Sequence, residues 1–336
     1  MNAAMEYKKV KDETAWKGKD LESDRSWHYT FADDELAEVH AALEEVNKKG
    51  LKAGEFGKEE FNLPILQEKL NKIDQVIRNG RGFALLRGFP VDKYSMDDLK
   101  KIYWGLGTHF GTIISHNTKG DYIAPVTDLA LKGDDPNRRN NTTNQHLDPH
   151  TDLADVVTLM CIEKAKEGGQ SSLTSSVQIY NEIVDNHPEF LPVLFEGFYH
   201  DYRGYGPNWD PNEVTPTKIP VFEYNNGRVN CAFARKIIET GAQKRGVPLT
   251  QLEQDAINYV HEIALRDDMR LDMMLEPGDI QIINNYITLH SRTNYIDHDD
   301  GRKRYLLRMW INLPDNVQLS EDFASFVRRG IPAKGE

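Results

Sequence analysis

Arg304-Tyr305-Leu306-Leu307-Arg308-Met309-Trp310 narrows the folds open to this chain more than any other stretch. Side chains in a strand alternate between faces, so Arg304, Leu306, Arg308 and Trp310 share one side and Tyr305, Leu307, Met309 and Ile311 take the other. Two arginines in an otherwise apolar strand are costly to bury unless each meets an anion. The planar guanidinium suits a carboxylate held by two parallel bonds. That anion is either a protein carboxylate, of which the chain offers 53 Asp and Glu, or a ligand. Upstream, Pro277-Gly278-Asp279 marks a tight turn, and Ile280, Ile282, Ile283 and Ile287 predict a strand running from it to His290.

At 336 residues, 39% hydrophobic and 28% charged, the chain has the composition of a globular protein able to bury a substantial core. It has no run of 18 apolar residues, so no membrane span is expected. Its first residues lack the apolar core of a secretory signal, which makes the cytoplasm the expected location. Cys161 and Cys231, the two cysteines, sit in apolar stretches and predict buried thiols. A net charge of −12 argues against nucleic acid as a partner. It is compatible with a local basic pocket for a small molecule. The sequence leaves open whether copies of the chain assemble.

Helical spacing predicts helices over 31–46, 63–79, 95–106, 177–185 and 250–266, the last opened by Thr250 with Glu253 three residues later. Residues 82–90 and 156–161 read as buried strands, and Gly168-Gly169 as a turn before a polar strand at 171–175. Residues 111–145, rich in Asn, Gly, Asp and Pro, read as a loop of the length that usually serves as a lid. Residues 1–30, with Trp16 and Trp27 as anchors, are expected to form an arm on a single domain spanning 31–336.

His150-Thr151-Asp152 places an imidazole and a carboxylate on the same side of a strand. With His290 from a remote strand they make two histidines and one carboxylate, the set that holds Fe(II) in non-haem oxygenases and leaves positions open for reactants. His146-Leu147-Asp148 is a second copy of the motif, and the residues alone do not choose between the two.

Taken in order, His150-Thr151-Asp152, Asp155 to Leu159, Gly168-Gly169-Gln170-Ser171, Glu276-Pro277-Gly278-Asp279-Ile280, Asn284-Asn285, His290-Ser291-Arg292-Thr293 and Arg304 to Trp310 form an ordered set of motifs. This set resembles the Fe(II)/2-oxoglutarate-dependent dioxygenases of the taurine dioxygenase (TauD/TfdA-like) group, related to clavaminate synthase-like enzymes, over roughly residues 75–315. The resemblance implies an α+β chain with a double-stranded β-helix (jelly-roll, cupin-like) core, flanking helices and a lid loop. It selects His150, Asp152 and His290 as the iron ligands and thus the catalytic set. It implies Arg304 on the distal carboxylate of 2-oxoglutarate, with Ser171, or Ser172 if the register slips by one, as the hydroxyl beside it. Arg308 matches the position that often holds an acidic group of the substrate. His116, Asn117 and Tyr122 are candidates for the substrate side, as are Tyr202, Tyr205 and Trp209.

The chemistry expected is hydrogen abstraction from a C–H bond of a small molecule, plausibly an amino acid, a carboxylic acid or a derived metabolite, with dioxygen consumed and succinate and CO2 released. Hydroxylation, desaturation and ring closure share that first step. The alternatives are a jelly-roll metalloprotein with isomerase or lyase activity, from which Arg304 separates the oxygenase, since without 2-oxoglutarate it has no evident partner, and a catalytically silent binding protein, against which the intact set of His150, Asp152, His290, Arg304 and Ser171 argues.

Overall fold

A computed structural model describes residues 7–129, 142–314 and 319–334. The arginine-bearing stretch forms strand β15 (Tyr305–Asn312). It pairs along one edge with β6 (Val156–Glu163), and along the other with β3 (Thr112–Ile114) and β4 (Ile123–Val126), all antiparallel. Beyond β6 the sheet continues through β12 (Ile280–Asn284), β2 (Phe83–Arg87) and β1 (His28–Thr30), the β1–β2 contact being parallel. A second, four-stranded sheet runs β11 (Arg270–Met273), β8 (Ser171–Ser175), β13 (Thr288–Arg292), β5 (Leu147–His150), antiparallel throughout. Two small pairs complete the strands: β9 (Phe222–Asn225) with β10 (Arg228–Cys231), and β7 (Glu167–Gly168) with β14 (Tyr295–Ile296).

The alternation expected along β15 is what divides the core. Leu307, Met309 and Ile311 join one apolar cluster with the helices Asp33–Lys48, Gln67–Asn79 and Met96–Thr108. Leu306 and Trp310 face the other way, into a cluster built by both sheets with Val157, Cys161, Leu173, Leu271 and Ile283. A third cluster packs the helices Ser176–Asn186, Leu191–Glu196 and Gln251–Leu265 around Leu289 of β13. The last of these helices opens with the anticipated reciprocal cap, in which Thr250 Oγ1 accepts from the Glu253 N–H and Glu253 Oε2 from the Thr250 N–H.

The single strand expected from Ile280 to His290 is instead two strands in different sheets, β12 and β13. Asn284 and Asn285 cause the break. Asn284 Nδ2 donates to the Ile77 carbonyl, and its Oδ1 accepts the Tyr286 N–H, so the chain turns there. Asn285 is fully buried and bonds to the 152–154 backbone. Four apolar side chains at strand-like spacing outvoted two asparagines in the sequence; two buried amides with fixed partners decide the backbone.

The turn before β12 is as expected. Gly278 has φ +88°, and a Cβ there would stand 1.9 Å from the Phe89 carbonyl oxygen. Asp279 closes the turn onto Arg87 with two bonds of 3.0 Å. Cys161 and Cys231 are buried free thiols. Trp16 and Trp27 are buried against Phe83, with centroids 5.1 and 5.6 Å away, and Trp16 Nε1 donates to the Arg81 carbonyl. Of the 111–145 loop, residues 112–114 and 123–126 are strands of the larger sheet, and 130–141 lie outside the described residues. Among the described residues no helix is long and apolar enough to cross a membrane.

Candidate metal and cosubstrate site

The register of β5 against β13 sets His150 opposite His290. Their ring centroids are 4.2 Å apart. Past β5 the chain is tied down twice. The Thr151 N–H donates to the Phe233 carbonyl at 2.8 Å. Asn285 Oδ1 accepts the Asp152 N–H, and its Nδ2 donates to the Asp152 and Ala154 carbonyls. Asp152 is thereby turned back toward the two rings. One ligand atom from each of His150, Asp152 and His290 lies within 4.8 Å of the others. Asp152 Oδ1 is 3.9 Å from His150 Nε2, and Oδ2 is 3.6 Å from His290 Nε2.

The protonation of these groups suits a cation. His150 Nδ1 stands 2.8 Å from the Asp148 carbonyl, which only accepts, so the proton belongs on Nδ1 and the Nε2 lone pair is free. Burial, with the neighbouring His290 ring, pulls the His150 imidazole down to about 4, which keeps it neutral. Burial works against ionising Asp152, but Arg308 and then His290 outweigh it and hold the carboxyl well below the usual range. Trp310 Nε1 donates to Asp152 Oδ2 at 3.0 Å, and Arg308 Nη1 reaches the same oxygen at 3.3 Å. Two imidazoles and an ionised carboxylate on one side of a small space are the donor set of a divalent ion. The residues present fit Fe(II).

Arg304 lies 4% exposed immediately before β15, and its Nη1 is buried with no hydrogen-bond partner. Its guanidinium stands 5.1 Å over the Tyr295 ring. Room for it comes from the Gly168-Gly169 turn, where both residues have positive φ and a Cβ on Gly169 would lie 2.9 Å from Arg304 Nε. Ser171, two residues on, is buried and bonded to Gln281 of β12. Ser172 points to the other face, its hydroxyl 2.6 Å from Asp272. A buried guanidinium whose Nη1 lacks an acceptor, beside a polar pair, fits an anionic oxygen ligand.

A cavity of about 170 Å³ opens on the metal-ligand set, with His150, Asp152, Arg308 and Trp310 in its wall. That is smaller than the ~300–1,000 Å³ of drug-sized sites, so it suits a compact metabolite. His116 is fully buried with Nδ1 3.5 Å from Arg308 Nη2, and its ring packs on Trp310. Tyr202 and Tyr205 line the cavity; Asn117, Tyr122 and Trp209 do not. Asn117 is taken up in its own loop, donating to Asp121 and accepting from the Lys119 and Asp121 N–H groups. Tyr122 is 45% exposed and packs edge-on against Trp104. In the second motif copy, Asp148 turns to His261 at 3.2 Å and His146 at 3.5 Å, away from the ligand set.

Four residues at the site had no role in the sequence reading of it: Asn285, Trp310 as a donor to Asp152, His200 and Arg329. Asn285 and Trp310 belonged to recognised motifs, but their partners are far away in the chain. His200 stood beside polar neighbours that favoured no reading, and Arg329 lies beyond the recognised motifs.

Residues 47–310 match the family model described as taurine catabolism dioxygenase TauD, TfdA family. The chain is 31% identical over 317 residues to FR-33289 synthase of Streptomyces rubellomurinus, across 93% of this chain and 92% of that protein. It is 41% identical over 277 residues to clavaminate synthase 2 of Streptomyces clavuligerus, across 71% and 76%. Asparagine oxygenase, solved with Fe(II), 2S,3S-3-hydroxyasparagine and succinate, shares the fold with a TM-score of 0.68 at 15% identity, across 85% of this chain and 93% of that one.

Proposed function

Because the chain belongs to the TauD, TfdA family and is thus a non-haem Fe(II)- and 2-oxoglutarate-dependent dioxygenase, we propose that it hydroxylates, desaturates or cyclises a small amino acid, carboxylic acid or related metabolite at a C–H bond. Fe(II) with 2-oxoglutarate and dioxygen supplies oxidative decarboxylation to succinate and CO2 and an oxidant for that bond. The observation that carries the reading is the pairing of the His150, Asp152 and His290 cluster with the buried, unpartnered Nη1 of Arg304. Family membership removes the isomerase or lyase alternative.

In this reading His150, Asp152 and His290 hold the metal and Trp310 aims Asp152 at it. Arg304 takes the distal carboxylate of 2-oxoglutarate with Ser171 beside it, the hydroxyl turning from Gln281 to the ligand. Arg308 has two tasks: it fixes Asp152, and its partnerless Nε faces an acidic group of the substrate. The apolar rings of Trp310 and Phe233 keep water from the reacting carbon. We read the two sheets as the halves of a jelly-roll, and residues 31–336 as one domain with 1–30 as its arm. The hydroxyasparagine named with the solved relative supports an amino-acid-like substrate.

The test is succinate release from the Fe(II)-loaded protein with 2-oxoglutarate, first alone and then across a metabolite library. His290→Ala is expected to abolish release and also the rise in melting temperature on adding Fe(II). Arg304→Ala is expected to weaken 2-oxoglutarate by about 2–5 kcal/mol while the Fe(II)-induced rise persists. Full iron-dependent succinate formation by His290→Ala would refute the ligand assignment.

A further inference from the structure

The cavity beside the metal-ligand set has a cation that nothing above uses. Arg329 lines its wall on the segment that follows the helix Glu321–Val327. Its Nη1 donates to the Tyr205 carbonyl at 2.9 Å, its Nε is buried with no partner, and among the described residues Nη2 makes no bond. Nε and Nη2 form one edge of the guanidinium, the edge that grips two oxygens of an anion side-on.

Among the described residues Arg329 makes no ion pair. The acids of the cavity wall are already engaged: Asp148 with His261, Asp152 with Arg308, and Asp201 with Lys244 at 2.7 Å. Glu213, the carboxylate whose field Arg329 feels, lies beyond ion-pair distance and accepts from Asn208. Meanwhile the guanidinium is held still, 4.7 Å over the Tyr202 ring and 5.5 Å over that of Phe326. The backbone on both sides is pinned. Arg328 bonds Asp155 through Nε at 2.9 Å, the Gly330 N–H donates to the Leu153 carbonyl, and the Ile331 N–H donates to that of Ser115. A cation fixed in place, largely enclosed and open along its two-pronged edge is costly unless a ligand completes it.

We propose that Arg329 is a substrate-binding residue, which seats an anionic oxygen group of the primary substrate (carboxylate, phosphonate, phosphate or sulfonate) at the far wall of the cavity from Arg304's cosubstrate. The inference rests on the oxygenase reading above and deepens it: the substrate is an anion anchored outside the metal-ligand set, with its reacting carbon between anchor and metal. Because Arg308 is paired with Asp152, Arg329 is the guanidinium with a whole edge to give.

The test uses the full chain loaded with Fe(II) and 2-oxoglutarate. Acetate, methylphosphonate, inorganic phosphate and methanesulfonate are added at tens of millimolar, and melting temperature is read for the parent, Arg329→Gln and Arg329→Lys. At least one anion is expected to raise the parent's melting temperature, to lose that effect in R329Q and to keep part of it in R329K. Small acids and their neutral methyl esters are then compared for stimulation of succinate release. The acids are expected to win in the parent, and R329Q to raise their KM about thirtyfold or more, the low end for truncating one side of a buried charge pair. The KM for 2-oxoglutarate and the slow succinate release without primary substrate should not move.

If that slow release is absent from the parent, the oxygenase reading fails, whatever Arg329 does. If it is present, the anchor is overturned by any of three results: no probe anion shifts the parent, esters match acids, or R329Q melts lower with its anion response intact.

Discussion

Asp152 has more partners than a metal ligand needs for charge alone. Trp310 and Arg308 both donate to Oδ2 and fix the direction of its lone pairs. Trp310→Phe removes the indole N–H and keeps a ring in place. Fe(II) affinity, followed by anaerobic titration, is expected to fall about 10–100-fold, the usual cost of losing a group that orients a ligand. His200 yields a pH prediction. It is buried with Nε2 lacking a partner, and burial, then the Arg329 charge, hold its imidazole down to about 3. In the unfolded chain it titrates near 6.5. As pH falls the unfolded state takes up the proton first, so stability from this residue is complete above about pH 6.5 and is lost as pH drops toward 3. His200→Phe cannot take up that proton in either state. Its melting temperature should fall less steeply than the parent's between about pH 6.5 and pH 4, and parallel slopes would count against the account.

Between β12 and β13 the chain crosses from one sheet to the other, and the crossing positions the site. Asn285 ties that crossing to residues 152–154 with three hydrogen bonds, all buried. Asn285→Ala is expected to cost about 3 kcal/mol in urea unfolding, at about 1 kcal/mol per bond, and to weaken Fe(II) as well, because Asp152 loses its support. Gly278→Ala should cost about 3 kcal/mol or more in the same assay, since its positive φ and the Phe89 carbonyl leave no place for a methyl group. Such elements also show what was legible beforehand. The two faces of β15, the Thr250 cap and the Gly278 turn were readable because each depends on residues a few positions apart. The break at 284–285 was not, since its cause is the carbonyls of Ile77, Asp152 and Ala154, which only the folded chain brings near. Asn117 and Tyr122 were candidates for the substrate side; their directions are set by contacts within the folded chain, with Asp121 and Trp104, that the sequence does not show.

Across the whole molecule, the described residues toward both termini are fastened to the body. The amino-terminal segment reaches Asn181 through two hydrogen bonds at Val10 and inserts Trp16 against Phe83. Trp16→Ala is expected to cost about 3–5 kcal/mol in thermal or urea unfolding, and, since this tryptophan does not line the cavity, to leave the KM for 2-oxoglutarate unchanged. The ligand set was legible once the resemblance had chosen between two copies of a short motif; the cavity wall was not, because it is assembled from five separated stretches of chain. One consequence concerns how the protein is made. The two imidazoles meet only as a cross-strand pair between β5 and β13, whose partners stand 140 positions apart. At about 5–20 residues per second, the ribosome delivers the second histidine about 7 to 28 seconds after the first. Until then the nascent chain offers a cation only two donors of this set, so the third donor arrives with the sheet, and iron capture waits until β13 has been made.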